Sequence, residues 1–176
     1  MITLSKIIVE SKVLVPRRSQ KERQRNHLVA IQKQIQQYIK DGSKGDLDLE
    51  DAPITSLPQN LKVGGHLFLI NTHVTSLPKG LKVGGTLDLT GTPITSLPDG
   101  LEVGGNLFLG NTHVTSLPDG LEVRGDLDAV GTPIDSISKS LKVGSYLNLI
   151  GTPISRKHTK QELHKMLPGV KKGIFT

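Results

Sequence analysis

The sequence predicts a solenoid, a fold in which short coils of equal length stack on one another. Leucine recurs every 20 residues with no insertion, at Leu47, Leu67, Leu87, Leu107, Leu127 and Leu147. A valine series from Val63 to Val143 keeps the same period, and the motif Thr-Ser-Leu-Pro returns at Thr55, Thr75, Thr95 and Thr115. A constant period over so many copies is typical of a repeat protein in which each coil contacts only its neighbours.

One side of each coil is predicted to be a β-strand. Val63, Leu67 and Leu69 share one parity with Gly65 between them, which is the period-2 pattern of a strand. The return path carries further aliphatic residues, and its Pro78 forbids a regular helix, so extended or 3₁₀ geometry is expected there. Strands one period apart are expected to pair in parallel, which gives a curved sheet of about six strands.

The composition restricts the chemistry of the protein. Its 176 residues include three Phe and two Tyr but neither Trp nor Cys, so the core must be built from Leu, Ile and Val. The lack of Cys excludes disulfides, thiolate metal sites and a cysteine nucleophile. No apolar run reaches the ~20 residues of a membrane span. Lys6, Glu10 and Lys12 make the start a poor signal peptide, so we expect a cytoplasmic protein.

The repeat unit L-x-V-G-G-x-L-x-L-x-x-T-x-(I/V)-T-S-L-P-x-x resembles the leucine-rich repeats of the short, 20-residue class found in bacteria and bacteriophages. The resemblance covers residues 46–156 and implies an α/β solenoid. It also implies a non-enzymatic protein-binding role, either as a bacteriophage virion component or as a factor that acts on the bacterial host. Some relatives carry a ubiquitin-ligase domain with a catalytic Cys, which this chain lacks.

Two positions depart from the family pattern. Gly64, Gly84 and Gly104 replace a leucine, which predicts a tighter or bulged entry to each strand. A threonine series from Thr72 to Thr152 replaces the asparagine ladder of the family, and we expect its hydroxyls to bond the backbone of the adjacent coil.

The segments before and after the repeats are predicted to be caps, because an open solenoid exposes its core at both ends. In residues 1–45, Ser19 and Glu22 form a capping-box pattern that predicts a helix up to Gly42. Its apolar stripe contains Leu28, Ile31, Ile35, Tyr38 and Ile39. The segment from Ile2 to Val15 is predicted to pack as a strand or a helix. Residues 157–176 repeat the capping box at Thr159 and Glu162, and a final strand is expected between Val170 and Phe175.

The basic charge of the protein belongs to these two ends. Residues 1–46 hold 10 Lys/Arg against 4 Asp/Glu, and residues 155–176 hold 6 against 1, whereas residues 47–154 hold 6 against 11. One cluster is a candidate nucleic-acid site: Arg17, Arg18, Lys21, Arg23 and Arg25. The alternative is that this cluster is only the solvated start of the first helix.

The outward positions of the strands are the candidate protein-binding surface. One row reads Asp48, Phe68, Asp88, Phe108, Asp128 and Asn148, and a second contains Asp46, His66, Thr86, Asn106, Asp126 and Tyr146. Phe68 and Phe108 are expected to be exposed and ~10 Å apart, since adjacent strands lie ~4.8 Å apart. Exposed aromatic pairs are typical anchors of an interface. The alternative is that the alternation records the duplication of a two-coil unit and keeps like charges apart.

No enzymatic or metal chemistry is expected. His73 and His113 are predicted ~10 Å apart, about twice the reach of a shared metal ion. Asp88 and Asp128 are equally far apart on a shallow face. The predicted function is therefore a protein-interaction module without a cofactor or membrane contact, and homo-oligomerisation through the outward strand residues is one form of it. The alternatives are an assembly component that docks through its basic caps and a nucleic-acid-binding protein.

Overall fold

The chain winds into a parallel β-solenoid, as the repeats predict, in the computed structural model that describes residues 19–176. The predicted packing of Ile2–Val15 lies outside these residues. A helix, α1 (Gln20–Lys40), precedes the coils, and two short helices, α2 (Pro153–Lys157) and α3 (Lys160–Met166), follow them.

Two parallel sheets run along the stack. The first has seven strands: β1 (Leu47–Asp48), β3 (Leu67–Phe68), β5 (Leu87–Asp88), β7 (Leu107–Phe108), β9 (Leu127–Asp128), β11 (Tyr146–Asn148) and β12 (Gly173–Phe175). The second has five: β2 (Lys62–Val63), β4 (Lys82–Val83), β6 (Glu102–Val103), β8 (Glu122–Val123) and β10 (Lys142–Val143). Within the repeats, every strand pairs with the residues 20 positions away, for example Leu67 with Leu87.

The prediction of one strand from Val63 to Leu69 is wrong, because the chain bends at Gly64 and Gly65 and divides that segment between the two sheets. The glycines allow adjacent coils to approach closely. A Cβ on Gly84 would overlap the carbonyl oxygen of Gly64. The glycines that were predicted to tighten or bulge a strand entry lie instead at this bend, where the neighbouring coil leaves no room for a side chain on Gly84.

Arg124 is the exception in this glycine series, and the hydrogen bond that its amide makes to the previous coil is longer than the equivalent bonds of the glycines. The amide of Gly104 donates to Val83 O at 2.8 Å, and the amide of Gly144 donates to Val123 O at the same distance. The corresponding bond from Arg124 to Val103 O is 3.1 Å. A Cβ at this position is accommodated by a slightly longer bond between the coils.

The core is a column of aliphatic side chains, with a threonine series at one corner. The five threonines are buried: Thr72, Thr92, Thr112, Thr132 and Thr152. The prediction that their hydroxyls bond the adjacent coil is wrong. The Thr72 hydroxyl donates to Leu69 O in its own coil at 2.8 Å, and the Thr72 amide donates to the same oxygen. The short side chain reaches only this local carbonyl. It therefore closes the corner of its own coil and makes no hydrogen bond to the adjacent coil.

The return path is extended and irregular. It contains no 3₁₀ segment in any coil of the described chain, so of the two predicted geometries only the extended one is found. Ser116 and Ser136 form a single parallel bridge between neighbouring return paths. Leu77 and Val74 are buried, which places the aliphatic side of the path against the core.

The N-terminal cap is the predicted helix. Ser19 caps α1 in the predicted box with Glu22, and the helix ends before Gly42, whose φ is +83°. Ile31 and Ile35 are buried against the first coil, whereas Ile39 is exposed and does not belong to the predicted stripe. The covering side of the helix continues instead through Tyr38, which is partly buried against the core.

The C-terminal cap continues the first sheet. Thr159 and Glu162 form the predicted capping box of α3, and Leu163 and Leu167 are buried. The predicted final strand is β12, which pairs in parallel with β11 and makes seven strands where about six were expected. Ile174 is buried opposite Leu147. The chain thus returns to the position of a next coil after the helical segment.

Candidate functional site

The outward residues of the seven-stranded sheet form one surface, which we call the strand face. Strand pairing places the predicted row side by side and adds one residue to it: Asp48, Phe68, Asp88, Phe108, Asp128, Asn148 and Phe175. The second predicted row, which includes His66, Asp126 and Tyr146, lies two residues earlier along each strand. The structure therefore brings all eight predicted protein-binding residues to one surface.

The aspartates of the first row are engaged in their own coils. Asp48 Oδ1 accepts a hydrogen bond from the Glu50 amide at 3.0 Å, and Asp88 and Asp128 accept from Thr90 and Val130 in the same way. Such bonds to the residue two positions later stabilise the turn at the end of the strand. These carboxylates therefore stabilise the turns at the edge of the strand face. Only their remaining lone pairs are free to accept further hydrogen bonds.

The second row bonds one coil to the next. Asp46 Oδ1 accepts from the His66 amide at 2.7 Å, and His66 Nδ1 accepts from the Thr86 amide at 2.9 Å. Further along, Asn106 Oδ1 accepts from the Asp126 amide, and Asp126 Oδ1 accepts from the Tyr146 amide. This row performs the bonding between coils that was expected of the threonines. A 20-residue series of side chains with acceptor atoms was the signal for it in the sequence.

The bond to the next coil changes the acidity of Asp126. The hydrogen bond from the Tyr146 amide lowers its pKa below the usual 3.8, and the Ser145 hydroxyl and the positive charge of Lys172 act in the same direction. Asp126 is therefore held as a carboxylate beside the last aromatic residues of the strand face.

The prediction that Phe68 and Phe108 are exposed is wrong, since both are half-buried. Each lies on an interior strand, with a coil on both sides to cover part of the ring. Phe68 also stacks on His66, with ring centroids 5.8 Å apart and planes at 28°. The two rings present only part of their surface to a partner.

The most exposed aromatic pair lies at the C-terminal edge of the strand face. Tyr146 and Phe175 are 40% and 46% exposed, and their ring centroids are 5.4 Å apart. Lys172 Nζ lies 5.5 Å from the Tyr146 ring, and Lys160 Nζ lies 5.9 Å from the Phe175 ring. Phe175 is more exposed than the other Phe residues because β12 has a neighbouring strand on one side only.

Phe175 belongs to the strand face but was not in either predicted row. The signal was present, because Val170, Ile174 and Phe175 have the same spacing as Val63, Leu67 and Phe68. The helical insertion of α2 and α3 breaks the 20-residue period, so the final copy falls out of phase with the others.

The predicted nucleic-acid cluster is only partly described. Arg17 and Arg18 lie outside the described residues. Lys21, Arg23 and Arg25 are exposed in the first turns of α1, the helix that precedes β1. The basic C-terminal residues lie at the other edge, beyond β11. The two basic ends are thus separated by the whole stack of coils.

Other polar groups do not converge on a chemical site. His73 and His113 are exposed on separate coils, and no three potential metal ligands come together anywhere in residues 19–176. A groove of about 280 Å³ crosses the second sheet beside Lys82, Glu102, Glu122 and Arg124. Lys82 pairs with Glu102 in this groove, and Glu122 pairs with Lys142. Lys82, Glu102 and Glu122 are thus held in solvated ion pairs.

Comparison with known proteins adds no relative. No protein-family model matches the chain, and no curated protein matches its sequence. Among the helices of the described chain, none is both long enough and apolar enough to span a membrane.

Proposed function

We propose that this protein is a non-enzymatic module of the leucine-rich-repeat type that binds another protein through its strand face. The observation that carries the proposal is the concentration of aromatic side chains on this one surface. All three phenylalanines and Tyr146 occupy its two outward rows. Large aromatic side chains are the usual anchors of protein interfaces, and rows of outward strand residues provide a broad surface around them.

The bonding within the rows supports this role. A rigid surface loses less conformational entropy on binding than a mobile one. Asp88 and Asp128 are fixed by their turns, and His66 and Asp126 are fixed by their bonds to the next coil. The face is therefore organised before a partner arrives. The resemblance to repeats of bacteria and bacteriophages favours a partner in a bacterial host or a virion.

The test is a binding experiment with a matched control outside the strand face. We would capture proteins from a bacterial lysate, infected or not, with the wild type and with Phe68→Ser/Phe108→Ser and Tyr146→Ser/Phe175→Ser. His73→Ser/His113→Ser is the control, since these exposed rings share the spacing of Phe68 and Phe108 but lie on the return side. We expect a protein captured by the wild type and by the control to be lost with one of the strand-face variants. Equal capture by all four proteins would reject the strand face as the binding site.

A second candidate is an anionic partner bound by the basic ends, which covers nucleic acid and an acidic assembly surface. Lys21 and Arg25 on the exposed start of α1 favour it, together with the excess of lysine in residues 155–176. Binding through phosphate contacts falls steeply with salt, since each contact releases counterions. Binding that is abolished by moderate salt and is unchanged by the strand-face variants would support this second candidate over the first.

A further inference from the structure

We propose that the C-terminal edge of the strand face binds an acidic segment of a partner protein that carries a large apolar side chain. The site, which we call the terminal patch, consists of Tyr146, Phe175, Ile150, Lys160 and Lys172. This inference rests on the proposed function and specifies where on the strand face the partner is anchored and what its chemistry is.

The first argument is the exposed apolar surface of the patch. Tyr146 and Phe175 lie in contact and are exposed, and Ile150, two residues after the end of β11, is 47% exposed. The neighbouring coil adds Val130 in the position equivalent to Ile150. The central strands present half-buried Phe68 and Phe108 in place of such a cluster. The terminal patch is therefore the part of the face with most apolar surface to remove from water.

The second argument is charge complementarity. The ammonium groups of Lys160 and Lys172 lie over the two rings, and neither is part of a salt bridge between described residues. Lys171 adds a third exposed cation. Asp126, on which the positive charge of Lys172 acts, is also engaged by the Tyr146 amide and the Ser145 hydroxyl. Carboxylates of a partner would find cations fixed beside an apolar surface, where covering the patch strengthens the attraction.

The rest of the strand face favours a protein segment over a nucleic acid. Asp126 and Asp128 lie immediately inward of the patch, and Asp88 follows two strands further on. A phosphate chain that extended along the face from the patch would meet this acidic row and be repelled. A short acidic segment with one apolar anchor can place its charges on the lysines and its anchor on the rings without reaching the aspartates.

The test uses a library of random dodecapeptides displayed on phage as the probe. It is selected in parallel on the wild type, Tyr146→Ser/Phe175→Ser, Lys160→Glu/Lys172→Glu and Phe68→Ser/Phe108→Ser. We expect the wild type to enrich peptides rich in Asp and Glu with an aromatic or large aliphatic residue. Both variants of the terminal patch should weaken binding of these peptides at least about tenfold, the effect of losing one anchor contact. The Phe68→Ser/Phe108→Ser protein should retain it.

The outcomes separate this inference from the proposed function. Peptides that bind without acidic residues, or that are lost only with Phe68→Ser/Phe108→Ser, would overturn the inference while the strand face stays the binding site. Enrichment on none of the proteins would overturn both. Displacement of the peptides by oligothymidylate at low concentration would identify a nucleic-acid site and overturn the choice of a protein segment. The Lys160→Glu/Lys172→Glu variant leaves both rings and the backbone in place, so the test does not depend on whether Tyr146→Ser/Phe175→Ser folds.

Discussion

The two ends of the solenoid solve the same problem in different ways. At the N-terminal end, α1 lies across the first coil, and its side chains cover the edge of the sheet. Gln34 Nε2 donates to Asp48 O at 3.1 Å, and Tyr38 Oη bonds both Gly45 O and the Gly64 amide. At the C-terminal end the chain adds β12 and continues the backbone pairing, with α3 packed beside that strand.

This difference decides where the strand face can present exposed rings. A cap made of side chains ends the sheet and leaves β1 with acidic outward residues such as Asp48. A cap made of one more strand extends the outward rows by one position, and that position carries Phe175. The sheet therefore ends on acidic residues at the N-terminal end and on an exposed aromatic residue, Phe175, at the C-terminal end. Five measurements would test this difference between the two ends.

The largest effect is expected in the middle of the stack, where neither cap acts. Leu107 is fully buried between coils on both sides, so Leu107→Ala should lower the free energy of unfolding by about 2–5 kcal/mol. Urea denaturation followed by circular dichroism would measure it. The neighbouring outward change Phe108→Asn, which introduces the residue type of Asn148, is the control and should cost less. A Leu107 effect below that control would contradict the inward assignment.

The next effect compares the two caps directly. Ile174→Ala and Ile31→Ala each remove a buried isoleucine at one end and should each cost about 2 kcal/mol or somewhat more. Amide hydrogen exchange should distinguish them. We expect Ile174→Ala to speed exchange in β11, which pairs with β12, and Ile31→Ala to speed exchange in α1. Faster exchange of β11 in both variants would show that the two caps do not act independently.

Gly84→Ala tests how closely the coils between the caps approach. A Cβ there would meet the Gly64 carbonyl, so we expect a loss of about 1–3 kcal/mol in unfolding free energy. Gly110→Ala is the matched control, because its nearest atom, Thr90 Cγ2, is 3.8 Å away and its φ is not positive. Arg124 shows that this glycine series accepts one side chain, with a longer hydrogen bond from its amide to Val103 O. If both alanine variants melt at the same temperature, the adjacent coils at Gly84 are far enough apart to hold a Cβ atom, and the predicted clash does not occur.

Tyr38→Phe removes a single hydroxyl from the N-terminal cap. The loss of its bonds to Gly45 O and the Gly64 amide should cost about 0.5–1.5 kcal/mol, with the helix itself unchanged. Thermal denaturation would measure the loss, and the helical signal in circular dichroism would serve as the internal control. No change in melting temperature would mean that water replaces the hydroxyl and that α1 covers the edge through Ile31 and Ile35 alone.

The smallest effect concerns acid stability at the C-terminal end. The lowered pKa of Asp126 means that its carboxylate stabilises the folded state above the usual 3.8 and that this contribution is lost as pH falls through the lower folded value. Asp126→Asn keeps an oxygen that can accept from the Tyr146 amide but removes the charge. We expect its stability to fall less steeply than that of the wild type from about pH 5 downwards. Asp128→Asn is the control in the adjacent row, and an identical change with that variant would exclude a specific role of Asp126.

The solenoid fold, the burial of the leucines and the starts of the two capping helices could be predicted from the sequence. The reason is that these features depend on local chemistry: Leu107 recurs in phase with its neighbours, and Ser19 with Glu22 bonds the first turn of its own helix. The sequence also placed Phe68, Phe108 and the aspartates on one face, because strand parity and a constant period fix that arrangement.

The exposure of these residues and the contacts between the coils depend on tertiary packing, which the sequence pattern does not give. Phe68 is half-buried because neighbouring coils flank it, and the chain divides at Gly64 and Gly65 because the coils approach there. Phe175 joins the face only when the segment after α3 returns to pair with β11, a contact between distant parts of the chain that no repeat period encodes. Exposure depends on the neighbours a residue receives in the folded chain, and at this edge Phe175 receives them on one side only.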